Sequence, residues 1–178
     1  MNEGHRDERA GMLIAWSGHR PDVFRDPRAA EATVTRLVSE KAAAGVEVIC
    51  GGQRGVDHWA VRAAIDVRIS FHLVLPSEVP RFARDWSPHD RVALEGFAAR
   101  ATSIAVIDPA EELGPLAYDL RNEAIVRRAD ALVVVRTSVR RGGTFQTVSA
   151  ARAKGIPVEE LVLEGVGGRE LGIWERGL

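Results

Sequence analysis

This sequence predicts a doubly wound α/β fold: one mostly parallel, Rossmann-like sheet with helices on both faces. Three observations carry the expectation. Short apolar runs alternate with amphipathic segments along the chain, the order that βαβ units impose. Those runs are continuously apolar, as strands covered on both faces must be. Glycines gather where apolar runs end, at Gly18, at Gly51, Gly52 and Gly55, and at Gly142 and Gly143. In an open α/β sheet these exits are where ligands bind.

The elements follow in order. Residues 12–16 (MLIAW) read as a buried strand that ends in the loop Ser17-Gly18-His19-Arg20-Pro21. Over 27–44, Ala30, Val34, Leu37, Val38 and Ala42 recur at three- and four-residue steps, an amphipathic helix stopped by Gly45. A second strand at 46–50 leads into Gly51-Gly52-Gln53-Arg54-Gly55 and a helix over 56–67. The third strand, 70–75, closes at Pro76 and gives way to a proline-rich passage, 76–88, holding Phe82 and Trp86. A helix at 89–100, a strand at 103–107 and a helix at 116–128 come next. The run Ala131-Leu132-Val133-Val134-Val135 is the strongest β signal in the chain. Its exit, Arg140 to Thr144, opens a helix over 145–154, and 157–163 offers a last strand. One domain is expected over 11–164, between a polar segment at 1–10 and a Gly-rich tail at 165–178.

Composition narrows the function. The chain has 178 residues, and its 24 Lys and Arg nearly balance 25 Asp and Glu. A broad electrostatic grip on nucleic acid or membrane is therefore not expected. The balance is uneven along the chain, however. Residues 136–154 carry five basic residues and no acid, and they enclose the Gly142-Gly143-Thr144 loop. Cys50 is the sole cysteine, so neither an intrachain disulfide nor a thiolate zinc site is expected. The five histidines show no metal-ligand spacing, and no metal is expected. No apolar run reaches the ~18 residues that span a bilayer, and the first ten residues are too polar for a signal-peptide core. A cytoplasmic protein is the expectation. Only Lys41 and Lys154 are lysines among the basic residues. Codon usage accounts for most of the arginine excess; at Arg20, Arg54 and Arg121 a planar fork for phosphate is the favoured reading.

Glycine loops that open helices place free N–H groups and a helix dipole beside the strand ends, which suits an anion. Sharper nucleotide motifs are missing: there is no GxxxxGK[ST], no GxGxxG and no GxSxG. Asp57 also reads as a first-turn carboxylate complementing a helix dipole.

Four motifs nevertheless stand in a telling order: Ser17 to Pro21, Gly51 to Asp57, Tyr118-Asp119-Leu120-Arg121-Asn122, and Gly142-Gly143-Thr144. They resemble the SLOG superfamily, the Rossmann-like group that includes DNA-processing protein A and the cytokinin-activating LOG proteins, and above all its YpsA-like branch. The likeness covers residues 12–163. It implies a ligand of nucleotide type, such as AMP, ADP-ribose or an NAD-like molecule, bound as by a sensor or carrier. The residues it implies are Ser17, Gly18, His19, Arg20, Gly51, Gly52, Arg54, Gly55, Asp57, Arg121, Asn122, Gly142, Gly143 and Thr144. A homodimer is also expected from the resemblance.

Two alternatives stay open. One is a LOG-type phosphoribohydrolase cleaving nucleoside monophosphates. Those enzymes carry a glutamate where this chain has Thr147, and an oxocarbenium-like transition state calls for a carboxylate. Arg121 and Glu123 are the remaining catalytic candidates. The other is a single-stranded-DNA module like DNA-processing protein A, which would need a basic groove with stacking aromatics.

Overall fold

Each apolar run becomes a strand. A computed structural model describes residues 11–139 and 142–166; the polar segment 1–10, Arg140, Arg141 and tail residues 167–178 lie outside the described residues. Strands β1 (Leu13–Gly18), β2 (Glu47–Cys50), β3 (Phe71–Leu75), β4 (Ser103–Val106), β5 (Ala131–Arg136) and β6 (Val158–Val162) form one sheet. Its order is β4-β3-β2-β1-β5-β6, and every pair is parallel. The helices are α1 (Pro27–Ala42), α2 (Val56–Asp66), α3 (Val79–Phe82), α4 (Pro88–Arg100), α5 (Leu116–Arg128) and α6 (Gly143–Lys154).

Strand alternation divides the core in two. Ile14, Trp16, Val48, Cys50, Leu73, Leu75, Val133 and Val135 face one side, packed with Val34 of α1, Trp59 of α2 and Leu94 and Phe97 of α4. Leu13, Ala15, Ile49, Val74, Leu132 and Val134 face the other, packed with Ala124 and Ile125 of α5 and Val148 and Ala151 of α6. Burying one such aliphatic side chain stabilises by about 1.5–3 kcal/mol. A one-residue slip would exchange the two faces, so the register is strongly set.

Local chemistry fixes the boundaries. Asp26 caps α1, its carboxylate accepting the N–H groups of Arg28 and Ala29 at 3.0 Å, with Pro27 in the first turn. Ser87 caps α4 in the same way through the N–H of Asp90. Lys154 donates to the carbonyls of Val126, Arg127 and Ala129, closing the end of α5. His72, read from the sequence as a hydrogen-bonded strand residue, bridges Glu47 (2.6 Å) and Ser103 (2.8 Å) at the N-terminal ends of three strands.

The proline-rich passage holds an element that the sequence reading lacks. Pro80 lies in the first turn of α3, where a proline costs no hydrogen bond. The short helix turns Phe82 into the core, against Trp86 at 4.9 Å between ring centroids.

The topology sets where a ligand can sit. From β1 the chain winds outward to β4, then crosses back through α5 to β5 on the other side of β1. The helices following β1 and β5 therefore lie on opposite faces. A crevice opens between them at the C-terminal ends of these two strands.

Candidate functional site

A cleft of about 540 Å³ occupies that crevice, within the ~300–1,000 Å³ usual for small-molecule sites. Four segments wall it: Ser17, Gly18, His19 and Arg20 after β1; Gly51, Gln53 and Asp57 after β2; Tyr118, Arg121, Asn122 and Ile125 on α5; and Gly142, Gly143, Thr144, Gln146 and Thr147 at the start of α6.

The β2 exit is organised around two charges. Asp57, buried in the first turn of α2, accepts the N–H groups of Gly51 (3.0 Å) and Gln53 (3.2 Å) on one oxygen. Arg121, buried on α5, donates to the Gly51 carbonyl at 2.8 Å. Its Nε is also buried and finds no partner. Burial pushes the Asp57 carboxyl up to about 6, with the Arg121 charge and the loop N–H groups pulling the other way. Burial likewise lowers the Arg121 pKa, while Asp57 raises it. A Cβ at position 51 would stand 1.9 Å from Arg121 Nη1, so any larger residue must displace that guanidinium. His58, next to Asp57, donates from Nε2 to the Gly52 carbonyl (3.1 Å), and burial holds its pKa down to about 4.

The β1 exit presents an uncharged donor. The N–H of Thr137 donates to His19 Nδ1 at 3.1 Å, so in the neutral ring the proton sits on Nε2. Burial first, and then the nearby Arg136 charge, lowers the His19 pKa and keeps the ring neutral. Gly18 lets β1 pass close to its neighbours, since a Cβ there would meet the Val135 carbonyl oxygen at 2.1 Å.

The α6 start is different again. Gly142, at φ +91°, precedes a first turn with no side-chain cap and no acidic residue. The Thr144 hydroxyl donates to the Gly18 carbonyl at 3.0 Å, tying α6 to β1, so an anion here would be served by main-chain N–H groups. Thr147 donates to the Gly143 carbonyl at 2.9 Å, and Asn122 Nδ2 reaches the same oxygen at 3.5 Å.

The structure brings eleven of the sequence-predicted residues to this cleft: Ser17, Gly18, His19, Arg20, Gly51, Asp57, Arg121, Asn122, Gly142, Gly143 and Thr144. Arg20 is exposed at the mouth, 3.9 Å from Asp22. Four others stand elsewhere. Gly52 backs onto Leu75 and Leu94, and Gly55 onto the His19 carbonyl. Arg54 lies over the Trp86 ring at 5.5 Å and faces Asp90 at 3.7 Å. Glu123 is exposed on α5. Among the contributors missed are Thr137 and Tyr118. Thr137 fixes His19 from 118 residues away, and no sequence signal announces it. Tyr118 was legible: with Arg121, Asn122 and Ile125 it forms an i, i+3, i+4, i+7 stripe on one helix face.

Among the described residues no group of three or more His, Cys, Asp or Glu is arranged to hold a metal ion, and no helix is long and apolar enough to cross a membrane.

Fold and cleft together define a Rossmann-like α/β protein with its candidate ligand site at the switch point between β1 and β5. Residues 48–168 match the circularly permutated YpsA SLOG family, and the chain belongs to that family. The SLOG resemblance read from the motifs is met. Similar curated proteins are the UPF0398 proteins of Bacillus thuringiensis (strain Al Hakam), 25% identical, and of Bacillus anthracis (strain A0248), 24% identical. Each aligns over 154 residues, 80% of this chain and 84% of the relative. DNA processing protein A from Helicobacter pylori, solved for its single-stranded-DNA binding mode, superposes with a TM-score of 0.65 at 16% identity, over 93% of this chain and 69% of that one. The molybdenum cofactor carrier protein of Chlamydomonas reinhardtii gives a TM-score of 0.59 at 19% identity, over 86% and 78%. At such identities these structures share the fold.

Proposed function

We propose that this protein binds a nucleotide or nucleotide-derived phosphate ligand in the cleft between β1 and β5, as a sensor or carrier. The observation that carries the reading is the uncapped α6 N-terminus opening onto the same cleft as the buried guanidinium of Arg121. Main-chain N–H groups and the helix dipole favour an anion there. Arg121 adds a fixed positive charge at the floor, and His19 Nε2–H adds a neutral donor for a phosphoryl or carbonyl oxygen. The hydrolase alternative gains nothing at Thr147, whose neutral hydroxyl is engaged by the Gly143 carbonyl.

Gly143→Asp tests the reading. A Cβ at position 143 meets only Asn122 Nδ2, at an ordinary 3.5 Å, and a carboxylate in a first helical turn favours the helix. The variant therefore folds while repelling an anion. Isothermal titration calorimetry with AMP and ADP-ribose is expected to show binding to the wild-type chain, weakened at least ~10-fold in Gly143→Asp. No binding of either ligand at millimolar concentration, or equal affinity in both proteins, overturns the reading.

A further inference from the structure

At the opposite end of the sheet from the cleft, β2, β3 and β4 begin with Glu47, the pair Phe71-His72 and Ser103. His72 and Ser103 are register partners. Their side chains and that of Glu47 alternate onto the face that α5 covers, where Ile49, Val74 and Ala105, each two residues further along, are packed. His72 Nε2 meets Glu47 Oε2 at 2.6 Å, and His72 Nδ1 meets Ser103 Oγ at 2.8 Å. A carboxylate only accepts, so Glu47 holds the Nε2 proton and Nδ1 presents its lone pair. From the last turn of α5, Arg128 Nη2 donates to the same Oγ at 3.4 Å. With that donor on one side, the Ser103 hydroxyl directs its own proton to Nδ1. Carboxylate, imidazole and hydroxyl thus stand in the order that activates a serine.

Burial suits these roles. The His72 side chain is 12% exposed and that of Glu47 24%. Ser103 is half-buried on the end strand of the described sheet, where a reactant can reach it. The Thr102 N–H donates inward to the Phe71 carbonyl. In a parallel ladder the next N–H, that of Ser103, points the other way, away from β3. An oxyanion formed on an acyl group at Oγ finds this N–H and the Arg128 guanidinium as donors.

We infer that Ser103 is the nucleophile of an esterase-type site, with His72 as its general base and Glu47 as the positioning residue that balances the imidazolium. The substrate class is a carboxylic ester with a short acyl group, because Ala105 and Arg128 bound the space around Oγ. Oγ bonds to the acyl carbon as its proton passes to Nδ1. The bond from that carbon to the alcohol oxygen breaks, and the alcohol leaves with the proton. Water then adds to the acyl carbon, giving a proton to Nδ1; the acid departs and Oγ regains the proton. None of these residues lines the cleft, so the inference stands apart from the ligand proposed there.

Two reagents test it on the full chain. With p-nitrophenyl acetate, the wild-type chain is expected to release many p-nitrophenolates per molecule. A fluorophosphonate, losing fluoride, is expected to add once, at Ser103, as read by peptide mass spectrometry. Ser103→Ala should abolish both. His72→Asn is expected to lower kcat about 100-fold, the scale of a lost general base. Glu47→Gln keeps the size of the side chain and removes its charge; kcat should fall at least ~10-fold with KM unchanged. This second variant decides the matter if His72→Asn does not fold. Turnover equal in wild type and Ser103→Ala, release that stops at one p-nitrophenolate per chain, an adduct elsewhere or none, or a kcat unchanged in Glu47→Gln overturns the inference.

Discussion

Two glycine loops flank the cleft, and they use their polar groups in opposite ways. After β2, the loop is closed upon itself: Asp57 takes the N–H groups of Gly51 and Gln53, Arg121 takes the Gly51 carbonyl and His58 takes that of Gly52. After β5, the loop leads into a helix whose first turn has no side-chain cap. Both segments read alike in sequence as glycine-rich exits that open helices. The difference is one buried carboxylate. Where Asp57 stands, the N–H groups of the loop are taken up by a side chain; α6 begins with neither an acid nor a side-chain cap in its first turn. Glycine content alone does not mark a phosphate loop. What marks it is whether the protein has already satisfied the donors.

Removing that carboxylate is the strongest way to break the contrast. Asp57→Ala leaves the buried N–H of Gly51 and the half-buried N–H of Gln53 unpaired, at about 1–3 kcal/mol each. A loss of about 4 kcal/mol is expected in urea unfolding at pH 7, and an unchanged midpoint would show that the loop does not depend on Asp57.

Titration probes the same group with less damage. The Asp57 carboxyl is raised from 3.8 to about 6, so its protonated form favours the folded state. That contribution is complete below pH 4 and is lost as pH rises through 6. The stability of the wild-type chain minus that of Asp57→Asn should therefore fall by about 3 kcal/mol between pH 4 and pH 7. His58, held down to about 4, acts in the opposite sense: its stabilising effect is full above pH 6.5 and lost as pH falls through 4. The wild-type profile is accordingly flatter than that of Asp57→Asn, whose stability rises with pH over this range.

A matched pair of glycine substitutions sharpens the comparison further. Gly51→Ala must displace the Arg121 guanidinium and should cost about 3 kcal/mol. Gly142→Ala meets nothing within 4 Å and carries only the strain of φ +91°, ψ −172°, about 2 kcal/mol. Equal costs in thermal unfolding would erase the distinction between a closed and an open loop. The smallest effect belongs to Thr144→Val, which loses the bond to the Gly18 carbonyl and should cost about 1 kcal/mol.

Much of this architecture is written in short-range patterns. Strands buried on both faces are continuous apolar runs, and α5 spans Leu116–Arg128, the bounds expected from the sequence. The walls of the cleft are legible for the same reason, because strand exits announce themselves with glycine. Side-chain destinations are less so. Arg54 and Arg121 both belong to motifs that suggest an anion. Arg54 is drawn to Trp86, a ring 32 residues further on, whereas Arg121 is drawn under the β2 exit. Asp57 reads locally as a helix-dipole carboxylate; its use as the acceptor for a whole loop depends on how that loop folds back. The Thr137 contact to His19 joins residues 118 apart, and nothing local encodes it.

The central position of β1 bears on how the chain is made. On one edge β1 meets β2 after some thirty residues; on the other it waits for β5, with Ile14 paired to Ala131. During synthesis β1 therefore has an unpaired edge from Ile14 to Gly18 until more than a hundred further residues have left the ribosome. Exposed apolar edges of this kind recruit other chains. A nascent chain arrested before residue 131 should depend on chaperones far more than one released after it, and the strand that completes the cleft is also the one that makes the young sheet safe.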